Sequence, residues 1–156
     1  MTKKLRQSGF TLIELLLVVA LITSLGAMTT AYMARFLTQN GVQNAQDQIV
    51  GDLRKAQFYT MMGKRNLNWG VYFNSGVSGN TIYLYGNAAP TTTFQTGGNT
   101  AQETFSVSPS IGISSFDINF PTTNGIPNNT GTITITGSGA NESKTVTITA
   151  QGAVTR

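Results

Sequence analysis

Hydrophobic positions change their period twice along the chain. Residues 15–34 form an unbroken run of twenty uncharged residues, mostly Leu, Val, Ala, Ile and Met. About 20 apolar residues in a helix span the roughly 30 Å hydrocarbon core of a bilayer. Beyond Arg35 the apolar residues thin to a stripe, Val42, Ala45, Ile49, Leu53 and Ala56, at spacings of three and four. Such a stripe marks a helix with one buried face. Asp47, Asp52, Arg54 and Lys55 lie off it. The first proline is Pro90, and Gly63 suits a helix C-cap. The pattern predicts one continuous helix from about residue 11 to about residue 62, about 80 Å long at 1.5 Å per residue. Gly26, Gly41 and Gly51 are its soft points.

From Lys64 the period falls to two. Trp69, Val71 and Phe73 share one strand face, with Tyr72 on the other. Residues 75–80 read as a hairpin loop, and Ile82 and Leu84 alternate behind it. Residues 103–107 are a weaker strand candidate. Phe116, Ile118 and Phe120 alternate up to Pro121, a residue that ends a ladder. Residues 132–136 and 145–149 match each other and predict a hairpin over 137–144, with a last short strand at Val154. Residues 88–100, rich in Thr, Gly and Asn, read as a flexible loop. The expected fold is α+β: a long N-terminal helix, transmembrane in its first half and amphipathic in its second, packed on a small antiparallel β domain of six to eight strands. The expected divisions are 1–9, 10–34, 35–63 and 64–156.

Composition narrows the chemistry. Of 156 residues only 10% are charged, and none is His or Cys. That excludes disulfides, thiol catalysis, Cys/His zinc sites and histidine-based triads. Nothing in the spacing of the six acids makes a catalytic pair or a metal site, so no enzyme, cofactor or metal is expected. Asp117 and Asn119 flank Ile118 on a strand and read as solvent-face residues. The net charge of +4 is largely Lys3, Lys4 and Arg6; from Phe10 onward the balance is +1. It therefore argues poorly for a nucleic-acid surface, and nucleic acid is not an expected partner.

Basic residues before the apolar run and almost none close behind it predict a cytoplasmic N-terminus. The remainder would lie in the periplasm or outside the cell. A secretory signal cut near Ala31 and a plain membrane anchor both leave Glu14 unexplained. A carboxylate costs something like 2.5–3.5 kcal/mol at the centre of a spanning helix, less near its end. Either it sits at the headgroup boundary, or it has a partner.

The string Gly9, Phe10, Thr11, Leu12, Ile13, Glu14, Leu15, Leu16 resembles the class III signal of type IV pilins and pseudopilins. The resemblance implies removal of residues 1–9 by a membrane prepilin peptidase, which cuts between Gly9 and Phe10 and methylates the new N-terminal Phe10. It implies that Glu14 pairs with the N-terminus of a neighbouring subunit during assembly. It implies as partners that peptidase, other pilin or pseudopilin subunits, an inner-membrane assembly platform and, before assembly, the lipid bilayer. An unpaired buried charge is strongly penalised, so such pairing would set the axial register of stacked helices.

Residues 52–57 (DLRKAQ) and 147–154 (TITAQGAV) more softly resemble the GspH/FimT group of minor pilins and type II secretion pseudopilins. That group commonly has arginine after the glycine equivalent to Gly152; here it is Ala153. The favoured reading is a structural filament subunit, a minor pseudopilin or pilin. The alternative is a minor pilin that binds DNA or another ligand at a filament tip. Its surface would come from Lys64, Arg65, Lys144, Arg156, Trp69 and the tyrosines.

Overall fold

The computed structural model describes residues 10–76, 79–121, 124–138 and 142–156. Helix α1, Leu12–Met61, is followed by eight strands: β1 (Asn68–Phe73), β2 (Thr81–Asn87), β3 (Ala101–Ser106), β4 (Ile111–Ile113), β5 (Phe116–Phe120), β6 (Gly131–Gly137), β7 (Ser143–Ile148) and β8 (Val154–Thr155). The chain divides into two compact units, Met1–Phe36 and Leu37–Arg156.

The first unit is the N-terminal part of α1. Thr11 starts it: its carbonyl accepts from the amides of Glu14 and Leu15, and its hydroxyl accepts from the Glu14 amide at 3.4 Å. The spacing Thr-x-x-Glu is that of a capping box. Glu14 also places a negative charge in the first turn, where the helix dipole favours it. Thr23 returns its hydroxyl to the carbonyls of Val19 and Ala20, so it presents no unpaired donor on an apolar surface.

The second unit is helix 37–61 packed on two antiparallel sheets, an α+β layout. One sheet has the order β3-β2-β1-β5 and the other β4-β6-β7-β8. The predicted stripe is buried throughout: Val42, Ala45, Ile49, Leu53 and Ala56 are each at most 2% exposed. It shares one core with Trp69, Val71 and Phe73 of β1, Ile82 and Leu84 of β2, Ile118 and Phe120 of β5, and Ile133, Ile135, Val146 and Ile148 of the second sheet. The matching Thr/Ile segments pair as a hairpin, with Thr134 opposite Thr145. The short strand β4 was not expected; its three residues carry too little alternation to register. Polar ties lock the helix down. Gln46 donates to the Thr145 carbonyl at 2.8 Å, Lys55 pairs with Glu103, and Arg156 pairs with Asp47 at 2.8 Å.

The helix ends at Gly63, whose φ of +62° is the left-handed cap conformation. Gln57 donates to the carbonyls of Gly125 and Gly152 at 2.9 and 3.2 Å. Gly152 has φ +81°, and a Cβ there would lie 2.6 Å from the Gln57 amide nitrogen. Only glycine meets both demands.

Two expectations fail on the outer face of the first sheet. Segment 88–100 is folded against that face. Phe94 stacks on Tyr72 with centroids 4.2 Å apart and contacts Tyr83 and Tyr85, and Asn87 donates to the Thr93 carbonyl. Nor are Asp117 and Asn119 solvent-face residues. Asn119 is fully buried, and Asp117 accepts from the Tyr85 hydroxyl at 2.5 Å and the Phe94 amide at 3.1 Å. Tyr85 reaches Asp117 by lying across Gly70, where a Cβ would come within 2.9 Å of the phenol ring.

Candidate processing and assembly site

The site predicted from the sequence is the junction of Gly9, Phe10 and Glu14. Gly9 and the rest of residues 1–9 lie outside the described residues. Phe10 is 82% exposed and precedes the first helical turn. Glu14 is exposed in that turn. The ion pairs among the described residues are Lys55–Glu103 and Arg156–Asp47; Glu14 is in neither. While Gly9 is attached, the Phe10 nitrogen is an amide and offers no cation. Sequence reasoning passed over Thr11, whose capping role was legible in the Thr-x-x-Glu spacing.

After this junction the described surface of the helix is mostly apolar. Leu12, Ile13, Leu15, Leu16, Leu17, Leu21, Ile22 and Leu25 are all more than half exposed. Burying apolar area is worth about 25 cal/mol per Å², so this surface needs lipid or other helices around it. By length and composition the segment is apolar enough to cross a membrane, and none of it is buried within the chain.

Of the alternative basic–aromatic surface, Lys64 lies over the Tyr59 and Trp69 rings, and several other members are engaged elsewhere. Trp69 is buried, with its indole N–H donating to the Lys64 carbonyl. Arg156 is held by Asp47. Tyr72, Tyr83 and Tyr85 meet the Phe94 ring. Among the described residues, no three Asp, Glu, His or Cys side chains come together to hold a metal. The perturbed groups answer to packing. Burial, then the hydrogen bond to Asp117, holds the Tyr85 phenol well above its usual range. Burial raises the Asp52 carboxyl, against the Gln48 hydrogen bond that lowers it. The hydrogen bond to Glu103 raises the Lys55 ammonium.

No curated protein and no solved structure matches the chain. The family match is confined to its start and covers the junction and much of the apolar helix: residues 4–30 match the prokaryotic N-terminal methylation motif.

Proposed function

We propose that this chain is the precursor of a type IV pilin-like structural subunit, a pilin or pseudopilin. A prepilin peptidase removes residues 1–9 and methylates Phe10. Helix α1 anchors the product in the inner membrane with the N-terminus in the cytoplasm and the β unit in the periplasm or outside the cell. Assembly then transfers the helix from lipid into a bundle of identical or related helices. Glu14 pairs with the amine at Phe10 of a neighbouring subunit. A helix docked head-to-tail on its own copy makes a contact that does not close, so the product is a filament.

One observation carries this reading. The methylation motif over residues 4–30 takes in the start of a helix whose described large apolar side chains are exposed. A structural rather than catalytic role agrees with a chain lacking His and Cys. Within the superfamily, a minor pseudopilin of the GspH/FimT type is the finer proposal, supported by 52–57 and 147–154. Gly152 weighs little in it, because its contact with Gln57 already requires a glycine.

Intact-mass analysis and N-terminal sequencing of the protein from its native membrane test the reading, with and without the peptidase. A chain beginning at N-methylated Phe10, dependent on the peptidase and blocked by Gly9→Val, is expected. A chain beginning at Met1, or cut near Ala31, overturns it.

A further inference from the structure

The large apolar side chains exposed outside residues 10–37 are few and gathered. Among the described residues they are Phe58, Met61, Met62 and Ile126. Phe58 and Met61 lie in the last turn of α1 and Met62 directly follows it, its amide donating to the Phe58 carbonyl, so the three stand at spacings of three and four. The fourth follows Gly125, where a Cβ would sit 3.0 Å from the Met61 sulfur, so the segment that carries Ile126 passes against Met61. Scattered surface hydrophobics need no explanation, whereas a gathered patch on an otherwise polar surface marks an interaction site.

Two further features adjoin it. A cleft of about 440 Å³ opens at Gly63, the residue after Met62, and is lined by Thr60, Asn66, Leu67, Ala88 and Pro121 among others. That volume lies in the range of sites that take a ligand group. Between patch and cleft, Arg65 and Asn66 hold φ of +58° and +55°. Consecutive non-glycine residues in the left-handed region are strained, and such strain persists where surrounding structure imposes it. The turn carries Lys64, whose ammonium sits over the Tyr59 ring, and exposed Arg65. Arg54, one helical turn before Phe58, is exposed on the same face and also donates to the Val154 carbonyl at 3.4 Å.

The geometry points to a docking site for a partner protein on this end of the second unit. The partner is a segment that places apolar side chains on Phe58, Met61, Met62 and Ile126 and in the adjoining cleft, and carboxylates against Arg54, Lys64 and Arg65. Charge complementarity selects this occupant. Of its six acidic residues a second copy could offer chiefly Glu14, at the start of the apolar helix, and Glu142: Asp47 and Glu103 are ion-paired, Asp52 is buried, and Asp117 is hydrogen-bonded to Tyr85 and Phe94. The site is independent of the N-terminal reading, and either can fail without the other.

The test uses the full chain, one copy per nanodisc of neutral lipid, and three labelled twelve-residue peptides read by fluorescence anisotropy. One alternates Glu or Asp with Leu or Phe. The second replaces its acids with Lys, and the third replaces its apolar residues with Ser. The acidic apolar peptide is expected to bind at least tenfold more tightly than either control. Phe58→Ser with Met62→Ser is expected to weaken it more than tenfold, and Arg65→Glu about fivefold, with the thermal midpoint of the second unit unchanged. Equal binding of all three peptides, no binding, or indifference to the double substitution overturns the proposal. Displacement of the peptide by phosphatidylglycerol vesicles would overturn it in favour of a membrane surface. Pairing of nanodiscs, lost in the double variant, would overturn it in favour of a second copy.

Discussion

Helix α1 is apolar in both of its halves, yet the halves use that character differently. Residues 12–36 expose their large side chains all round, Leu12 at 78% and Leu25 at 67%, whereas 37–61 bury Val42, Ile49 and Leu53 completely along one face. Hydrophobicity by itself does not say where a helix finds its partner; its angular distribution does. A one-sided stripe is complementary to a sheet in the same chain. An all-round apolar surface has more face than two small sheets can cover, and so needs lipid or other helices. The polar exceptions follow the same division. Glu14 sits at the exposed start without an ion-pair partner among the described residues, while in the second half Lys55 pairs with Glu103 of a strand and Asp47 with Arg156.

The largest expected effect lies at the first half's boundary. Gly9→Val should abolish cleavage, read as retention of residues 1–9 by intact mass, while leaving the thermal midpoint of the second unit unchanged. A lowered midpoint would mean that the halves do not have separate partners. Next, Leu53→Ala should cost the second unit about 2–5 kcal/mol, the usual loss for a truncated core leucine. Leu16→Ala should change unfolding in detergent by less than about 0.5 kcal/mol. Denaturant titration of the full chain, followed through the single buried Trp69, reads both. Equal losses would break the comparison.

The sheet face away from the helix offers a sharper version of the same contrast, since its groups also owe their burial to distant partners. Gly70→Ala should destabilise by about 1–3 kcal/mol through overpacking. Its Cβ would lie 2.7 Å from the Ile118 carbonyl oxygen and 2.9 Å from the Tyr85 ring. The same titration measures it, and a neutral result would show that Tyr85 is free to leave Asp117.

Tyr85 also predicts a pH dependence. Its phenol titrates near 10.0 when unfolded and is raised in the fold, first by burial and then by its hydrogen bond to Asp117. The folded state therefore keeps a proton that the unfolded state loses. This contribution is complete below pH 10 and is lost as pH rises beyond it, by up to about 1.4 kcal/mol per pH unit. Lys55, also raised, acts in the same direction above 10.5. Tyr85→Phe should flatten the alkaline slope measured by urea unfolding between pH 9 and 11, and an unchanged slope would refute the assignment.

The smallest effect belongs to Asp52, on the buried half of the helix. Burial raises its carboxyl above 3.8, so the fold favours the protonated form, and this group's contribution falls as pH rises through that window. Asp52→Asn removes the charge and leaves an oxygen for Gln48 to donate to. It should change stability at pH 7 by no more than about 1 kcal/mol and remove the acid-side slope. A loss of several kcal/mol would mean that the ionised carboxylate is required.

Much of this was readable along the chain. The five-residue stripe on α1, the Gly63 cap, the alternating strands and the Thr/Ile hairpin all rest on periods of 3.6 or 2, which a single segment displays without reference to any other. The candidate junction at Gly9, Phe10 and Glu14 was likewise a contiguous string. The misreadings share one origin. Asp117 and Asn119 alternate with buried residues and so look solvent-facing. Asp117 is engaged because segment 88–100, polar and glycine-rich, inserts Phe94 against three tyrosines from two strands, and Asn119 because Asn128 pairs with its backbone.

Local pattern thus determined which face of each element is apolar, where the long helix stops and which of its halves is apolar on every side. Those properties follow from side-chain chemistry and backbone period alone. Tertiary structure decided what covers the other faces. It laid Tyr85 across Gly70 to reach Asp117, made Gly152 obligatory through Gln57, and set Gly125 against Met61. Each of these joins residues far apart in the chain, and their proximity is set by how the sheets and loops close over one another, which no local period encodes.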